Sequence, residues 1–323
     1  MRILLTGTTG QVGGALLAPL ATLGTVLSVN RSRLDLSRPE TIAEVLDHLR
    51  PDLIVNPAAY TAVDRAEDER LLAFRVNADA PGAMAIWAAR HDVPLVHFST
   101  DYLFDGSGKA PWREDDTPSP LSVYGDSKRA GEVAIRAAGG PHLIIRTSWV
   151  YANHGQNFML TVLRLAAERK ELRIVADQFG APTSARVIAD AVKKILSRKA
   201  ADIGNPFLHG CGVINVSCAG ETSWHGFAAA IVGGWKARGF SVETERLVPI
   251  RTEEYPTKAK RPRNSRLDSG CLNGIFGIRM PSWREALETE LDELVDFSRA
   301  PISPVDATFE NLSEERLIPA RES

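Results

Sequence analysis

The first thirteen residues constrain the fold more than any other stretch. Ile3-Leu4-Leu5 is a short unbroken apolar run, the pattern of a strand buried on both faces. Thr6-Gly7-Thr8-Thr9-Gly10-Gln11-Val12-Gly13 follows, and then Gly14–Leu23 with helical periodicity. A Gly-x-x-Gly-x-x-Gly spacing means little alone. Between a strand and a helix it is the turn that seats a dinucleotide pyrophosphate on a helix N-terminus. Gly7 permits the tight turn, Gly10 lets backbone approach the phosphates, and Gly13 lets the helix lie close on the strand. Val26–Val29 supplies a second strand, and a βαβ unit of this kind requires a parallel sheet with helices packed on it.

The alternation continues. Strand-like runs recur at Leu53-Ile54-Val55, Pro94–Phe98 and Leu143–Tyr151, and helical stretches at Pro39–Leu49, Asn77–Arg90 and Ser122–Ala138. Ser37 with Glu40 has the spacing of a helix N-cap. The expected class is α/β, a doubly wound parallel sheet of the Rossmann type, with a dinucleotide-binding domain over residues 1–150. After Tyr151 the pattern loosens. Helices are expected at Asn157–Lys170, Ala185–Leu196, Phe227–Lys236 and Ser282–Phe297, and short extended runs at Arg173–Val175 and Leu247–Ile250. Val213–Val216 reads as a last sheet strand. Residues 151–300 therefore read as a smaller, mainly substrate-binding C-terminal domain interleaved with the sheet, and residues 301–323 as a loosely held tail.

With 38 basic and 40 acidic residues the net charge is −2, which gives no electrostatic case for nucleic acid or an anionic membrane. No apolar run approaches the ~20 residues that span a bilayer, and the N-terminus lacks a signal-peptide pattern. Cys211, Cys218 and Cys271 show no metal-like pairing, and the histidines are scattered. The expectation is a cytoplasmic protein with reduced thiols and no bound metal.

Strand ends carry the chemistry. In doubly wound sheets ligands sit beyond the carboxyl ends of the strands. At the second strand's end stands Asn30-Arg31 in place of an acidic residue. A guanidinium there suits a ribose 2′-phosphate, which favours NADPH over NADH, although a solvated surface Arg31 fits the sequence nearly as well. The third strand ends in Asn56-Pro57-Ala58-Ala59-Tyr60-Thr61, small residues against which a flat cofactor can lie. Asp64 and Glu67 follow, facing either the site or solvent. The fourth strand ends in Ser99-Thr100-Asp101-Tyr102. Tyr124 and Lys128 stand four apart on one helix, so hydroxyl and ammonium share a face, and an ammonium beside a phenol is expected to lower its pKa. Lys258, Lys260, Arg261, Arg263 and Arg266 crowd a short segment, which suggests one anionic ligand or a solvated loop.

Together these motifs resemble the extended short-chain dehydrogenases, and within them the dTDP-4-dehydrorhamnose reductases, over residues 1–298. The Ser99–Gly106 run and the Arg261-Pro262-Arg263-Asn264-Ser265-Arg266-Leu267 run are characteristic of that subgroup, whereas the glycine turn and Tyr124/Lys128 belong to the wider superfamily. The resemblance implies hydride transfer from NADPH or NADH to the C4 ketone of a nucleotide-linked 6-deoxy sugar. Tyr124 would protonate the alkoxide, Lys128 would hold the nicotinamide ribose, and Thr100 would orient the oxygen. By motif, Gly10, Gln11, Val12, Asp35, Leu36, Ala59, Tyr60 and Thr61 would hold the cofactor. Asp101, Trp149 and the turn from Gln178 through Pro182 to Thr183 would hold the sugar, with Arg261 and Asn264 at the diphosphate. Members that dimerise through magnesium carry Glu where this chain has Ala15, leaving monomer or homodimer open. Tyr60 replaces a common His. A nucleotide-sugar epimerase or dehydratase, or a non-catalytic regulatory subunit, would share the fold. A dehydratase needs an Asp-Glu pair where this chain has Asp101-Tyr102.

Overall fold

The structure, a computed structural model, describes residues 1–198 and 212–299; Cys211 and the segment 301–323 lie outside the described residues. Strand β1 (Arg2–Leu5) leads through the glycine turn into α1 (Gln11–Ala21) and β2 (Thr25–Ser28). Then come α2 (Ile42–Leu49), β3 (Leu53–Asn56), α3 (Val63–Ala66), α4 (Arg70–Phe74) and α5 (Ala80–Arg90). β4 (Leu95–Thr100), α6 (Val123–Ala137) and β5 (His142–Thr147) complete the first half. All of these strands join one parallel sheet in the order β2-β1-β3-β4-β5, with Ile3 opposite both Val26 and Leu53. The chain moves out from β1 to β2, then crosses to β3 on the other side. That reversal opens a crevice at the carboxyl ends of β1 and β3.

Two apolar layers cover the sheet. One packs Leu16, Leu20, Ile188, Val192 and Leu272 on Ile3, Leu5 and Val55; the other packs Ile42, Leu46, Met84, Trp87 and Ile135 on Leu4, Ile54 and Ile144. Side chains alternate between faces along each strand, so successive residues of β1 serve different layers.

The second half runs β6 (Val150–Tyr151), α7 (Phe158–Glu168), β7 (Glu171–Val175), β8 (Phe179–Gly180), β9 (Thr183–Ser184) and α8 (Ala185–Leu196). After the undescribed segment come β10 (Val213–Asn215), β11 (Thr222–Ser223), α9 (Trp224–Ala237), β12 (Arg246–Ile250), α10 (Gly270–Phe276) and α11 (Trp283–Arg299). β10 adds to the main sheet beside β5, and α8 packs in the same layer as α1. Elsewhere a separate core forms from Met159, Val162, Phe227, Ile231, Trp283 and Leu287. Among the described residues no helix is long and apolar enough to cross a membrane.

The run expected as one strand at Leu143–Tyr151 divides into β5 and β6, and β6 pairs with β9 apart from the main sheet. The Ser37 hydroxyl bonds Asp35 instead of capping a helix. The helix expected to start at Asn77 differs too. It begins at Arg70, not Asn77, and widens into a π-helical turn over Arg75–Asp79. Asn77 resembles an N-cap in sequence, yet its side chain is fully buried and bonds elsewhere. Its Oδ1 accepts from the Tyr60 N–H at 2.8 Å, and its Nδ2 donates to the Tyr60 carbonyl and the Ser127 hydroxyl at 3.0 Å each. A single π-turn thus pins the loop after β3 to α6. Such turns recur at functional sites.

Candidate active site

All six residues of β4 are buried, and the chain then tightens into a short turn over Asp101–Leu103. Thr100 caps it: its Oγ1 accepts the Tyr102 N–H at 3.2 Å and donates to Asp101 Oδ1 at 3.1 Å. α6 starts opposite. Ser122 accepts the Gly125 N–H, and the Glu67 carboxylate accepts the Val123 N–H at 2.9 Å. Any Cβ on Gly125 would lie 2.2 Å from the Tyr102 carbonyl oxygen, so glycine sets how close α6 approaches the β4 turn. That approach brings the half-buried Tyr124 ring edge-on to Tyr102, 5.5 Å between centroids, with its phenol hydrogen-bonded to Thr100. Lys128, one turn on, is fully buried. Its Nζ donates to the Phe98 carbonyl at 2.5 Å and stands 3.1 Å from His97 Nε2. Thr100, Tyr124 and Lys128 therefore converge at the carboxyl end of β4.

The electrostatics differ from the sequence expectation. Burial pushes the Tyr124 phenol up to about 12; the Thr100 hydrogen bond pulls it down and the Asp101 charge pushes it further up. Lys128 does not lower it here, because the ammonium is turned toward β4. Burial lowers Lys128 itself to about 8, against a small opposing pull from Glu132. Asp101 is buried with its Oδ2 unpartnered, and burial raises its carboxyl to about 6 despite hydrogen bonds from Ser265 and Thr100. The site thus holds a protonated phenol, a lysine that keeps its charge at neutral pH but loses it near 8, and a carboxyl that titrates in mildly acidic conditions.

The glycine turn lies across the crevice. Gly7 adopts φ +58° against Ala58, which Gly tolerates at little cost. A Cβ on Gly13 would meet the Gly7 carbonyl oxygen at 2.0 Å. No side chain caps α1, so the first-turn amides after Gly10, those of Gln11 and Val12, remain available to an anion. Gln11 Oε1, Ser99 Oγ and Thr147 Oγ1 are buried without partners. A cradle of bare glycines, uncapped amides and unsatisfied polar atoms fits a dinucleotide. Around its edges, Asn30 caps its own turn, accepting from Ser32 and Arg33, and Arg31 is largely exposed, reaching Asp35 at 3.3 Å. Burial pushes the Asp35 carboxyl up, but Ser37 and Arg31 outweigh it and hold it low. Leu36 is buried in the adjoining core, Ala59 is half-buried and Thr61 exposed. The Tyr60 hydroxyl donates to Glu69 at 2.7 Å; burial and that carboxylate push its phenol up to about 12.

The third wall comes from the second half. Trp149 holds the left-handed conformation, φ 49°, unusual for a bulky residue and a mark of local strain. Its ring stacks on Trp224 at 3.5 Å, and a Cβ on Gly180 would strike it at 2.5 Å. Gln178 bridges Trp224 Nε1, accepting at 3.2 Å, and the Thr252 hydroxyl, donating at 3.2 Å. Pro182 and Thr183 are buried, and the Thr183 hydroxyl is committed to the Ala181 carbonyl and the Cys218 N–H. Asn264 ties the 108–110 loop through its Nδ2 and Arg266 through its Oδ1.

Sequence left the basic segment as either the seat of one anionic ligand or a solvated loop; in the structure four of its five cations have carboxylate partners within the chain. Arg261 grips Asp64 with two nitrogens, the shorter contact 2.7 Å, and Lys258 pairs with Asp68 at 2.5 Å. Arg263 pairs with Glu253 at 2.8 Å, and Arg266 with Glu221. These partners stand far away in sequence or on the far side of a turn, so a local count of charges could not reveal them.

Comparison with known proteins bears on the family and the fold. The family model described as the RmlD substrate binding domain matches residues 1–295. A dTDP-4-dehydrorhamnose reductase of Burkholderia thailandensis is 47% identical over 290 residues, covering 89% of this chain and 97% of that relative. The enzyme of the same name from Escherichia coli K12 is 41% identical over 302 residues, covering 91% and 98%. The chain belongs to the dTDP-4-dehydrorhamnose reductase family. Among solved structures, the Bacillus anthracis dTDP-4-dehydrorhamnose reductase in complex with NADP is 33% identical with a TM-score of 0.81, covering 90% of this chain and 99% of that one.

Within this reductase fold several polar residues escaped the sequence reading. His97, fully buried in β4, sits behind Lys128. Asn56 ties β3 to His97 of β4, and Asn77, in the π-turn before α5, holds the loop after β3 at Tyr60. Glu132 and Arg146, both buried, form a two-nitrogen ion pair at 2.9 and 2.7 Å, and Arg146 also donates to the Glu114 carbonyl under the active-site loop. The available signal was a charged or polar residue inside an apolar run, as in Val96-His97-Phe98 and Ile145-Arg146-Thr147. Such a residue must be satisfied by something.

Proposed function

We propose that this chain reduces the C4 ketone of dTDP-4-dehydro-L-rhamnose with NADPH to give dTDP-L-rhamnose, a step in nucleotide-sugar biosynthesis for cell-envelope polysaccharide. The observation that carries the reading is the convergence of Thr100, Tyr124 and Lys128 at the β4 tip, across from the uncapped glycine turn. Bound in that cradle, the reduced nicotinamide supplies the hydride. Tyr124, protonated at neutral pH, donates its proton to the oxygen that gains charge as the ketone is reduced. A raised phenol pKa suits this direction, since a reduction needs the acid form at the start. General acid help of this kind contributes about 10²–10⁴-fold. Thr100 holds the phenol and the carbonyl oxygen in line, and Lys128 orients the ribose and restores a proton to Tyr124. Asp101 and the strained Trp149 face the sugar, and Arg261, positioned by its pair with Asp64, offers its remaining N–H donors to the diphosphate.

Residues 1–150 chiefly serve the cofactor and 151–300 the sugar. The protein works in the cytoplasm. Ala15, half-buried on α1, offers no carboxylate, so a monomer or a dimer without a metal bridge follows. Dehydration is disfavoured because Tyr102 occupies the place of a second carboxylate. An epimerase would interconvert dTDP-sugars without net cofactor use. Incubating the protein with dTDP-4-dehydro-L-rhamnose and NADPH should give one oxidised cofactor per dTDP-rhamnose formed. Sugar interconversion with no cofactor consumed would favour the epimerase instead.

A further inference from the structure

His97 is a buried titratable group in contact with the site that this reduction leaves without a role. It lies in the middle of β4 between β3 and α6. Its Nδ1 stands 3.1 Å from Asn56 Nδ2, and its Nε2 stands 3.1 Å from Lys128 Nζ. Asn56 is itself fixed from behind, its Oδ1 accepting from the Thr6 hydroxyl at 2.6 Å. Burial, and then the Lys128 charge, drive the imidazole well below its ordinary pKa, so the ring is neutral. A neutral imidazole offers one donor and one acceptor. A lysine ammonium offers donors only. While Lys128 is charged, Nε2 must accept and the ring proton must sit on Nδ1, which requires Asn56 to present its oxygen. With the carboxamide as placed, Asn56 Nδ2 donates to Nδ1, the ring proton sits on Nε2, and it meets the lone pair of a neutral amine. The two arrangements differ by a half-turn of the Asn56 carboxamide.

We propose that His97 is a positioning residue of the reduction: held by Asn56, its neutral ring keeps Lys128 behind Tyr124, and its tautomer follows the charge on Lys128. The other groups facing Lys128 leave this task to His97. Phe98 supplies a carbonyl from the same strand. Glu132, one turn along α6, is committed to Arg146 of β5 and Arg136. Asp101 and Tyr124 bond Thr100. Among the described residues Lys128 makes no ion pair, so the imidazole and one carbonyl are its hydrogen-bond partners.

The inference rests on the reading that Lys128 assists Tyr124, and its test separates the two. Three variants, His97→Leu, His97→Gln and His97→Asn, are compared with the parent by the pH dependence of NADPH affinity and of kcat/KM for the reduction. In the parent both change near pH 8, where Lys128 loses its charge. His97→Leu removes an acceptor from a buried ammonium, so the transition moves to lower pH by about one unit. The Gln carbonyl can reach the place of Nε2 and returns the transition toward the parent's; Asn is too short and does not. Should His97→Leu fail to fold, the Gln and Asn variants carry the comparison. A parent-like transition in His97→Leu, or matching transitions in Gln and Asn, overturns the proposal. A parent that binds NADPH but reduces no keto-sugar sinks the assigned reaction, and the binding data alone then decide the role of His97.

Discussion

Two regions of this molecule look ready for an anion, and they are built in opposite ways. At the open end of the sheet the donors are left unsatisfied: α1 has no capping side chain, so its first-turn amides have no side-chain acceptor. In the basic segment the charges are spent at home, with Lys258, Arg261, Arg263 and Arg266 each on a carboxylate. A site that must bind something keeps its polar groups in reserve, whereas paired charges fasten one part of the chain to another. Here Arg261 and Lys258 fasten the segment to α3 and the turn after it.

The comparison breaks most visibly at Gly13. Gly13→Val forces a side chain into the Gly7 carbonyl, and overpacking of that kind costs about 1–3 kcal/mol. NADPH affinity measured by fluorescence titration should fall by roughly 100-fold, the equivalent of about 2.7 kcal/mol. Undiminished binding would mean that the turn is not the phosphate cradle.

Asp101 sharpens the same contrast. Its folded carboxyl binds a proton more tightly than an unfolded one, so it stabilises the fold at low pH and loses that contribution as pH rises through about 6. Asp101→Asn should therefore raise the melting temperature at pH 7.5 by several degrees, and change it little at pH 4. A larger gain at pH 4 would reverse the sign and refute the assignment.

Arg31, exposed and only loosely held by Asp35, is free to turn to a 2′-phosphate. Arg31→Ala should weaken NADPH by about tenfold, the scale of one charge-assisted contact, and leave NADH nearly untouched. Equal loss for both cofactors would return Arg31 to the surface. The smallest effect belongs to the paired region: Arg263→Ala should alter stability and NADPH affinity by no more than about 0.5 kcal/mol. A large loss of NADPH affinity there would erase the distinction between the two regions.

Much of the fold was legible because its signals are local. The strand–glycine–helix opening and the Tyr124–Lys128 spacing each span only a few residues, Thr100 stands at the end of its own strand, and the apolar pattern located every strand of the main sheet. What stayed hidden was pairing across the chain. Arg261 meets Asp64, Lys258 meets Asp68, and Lys128 meets His97, contacts that no window of sequence contains. The π-turn at Asn77 was hidden for a related reason, since a tertiary clamp on Tyr60 took the side chain that local rules assign to a cap. The phenol's pKa was misjudged because the four-residue spacing shows only that Tyr124 and Lys128 share a face, and not where the ammonium points.

The most direct test is a single-turnover comparison of the parent and Tyr124→Phe with NADPH and dTDP-4-dehydro-L-rhamnose, following loss of the reduced cofactor's absorbance. Removing the proton donor should slow that loss by about 10²–10⁴-fold while NADPH affinity stays within about twofold, the reach of a site that keeps its cradle. Equal rates in the two proteins would place the proton elsewhere and contradict the active site at the tip of β4.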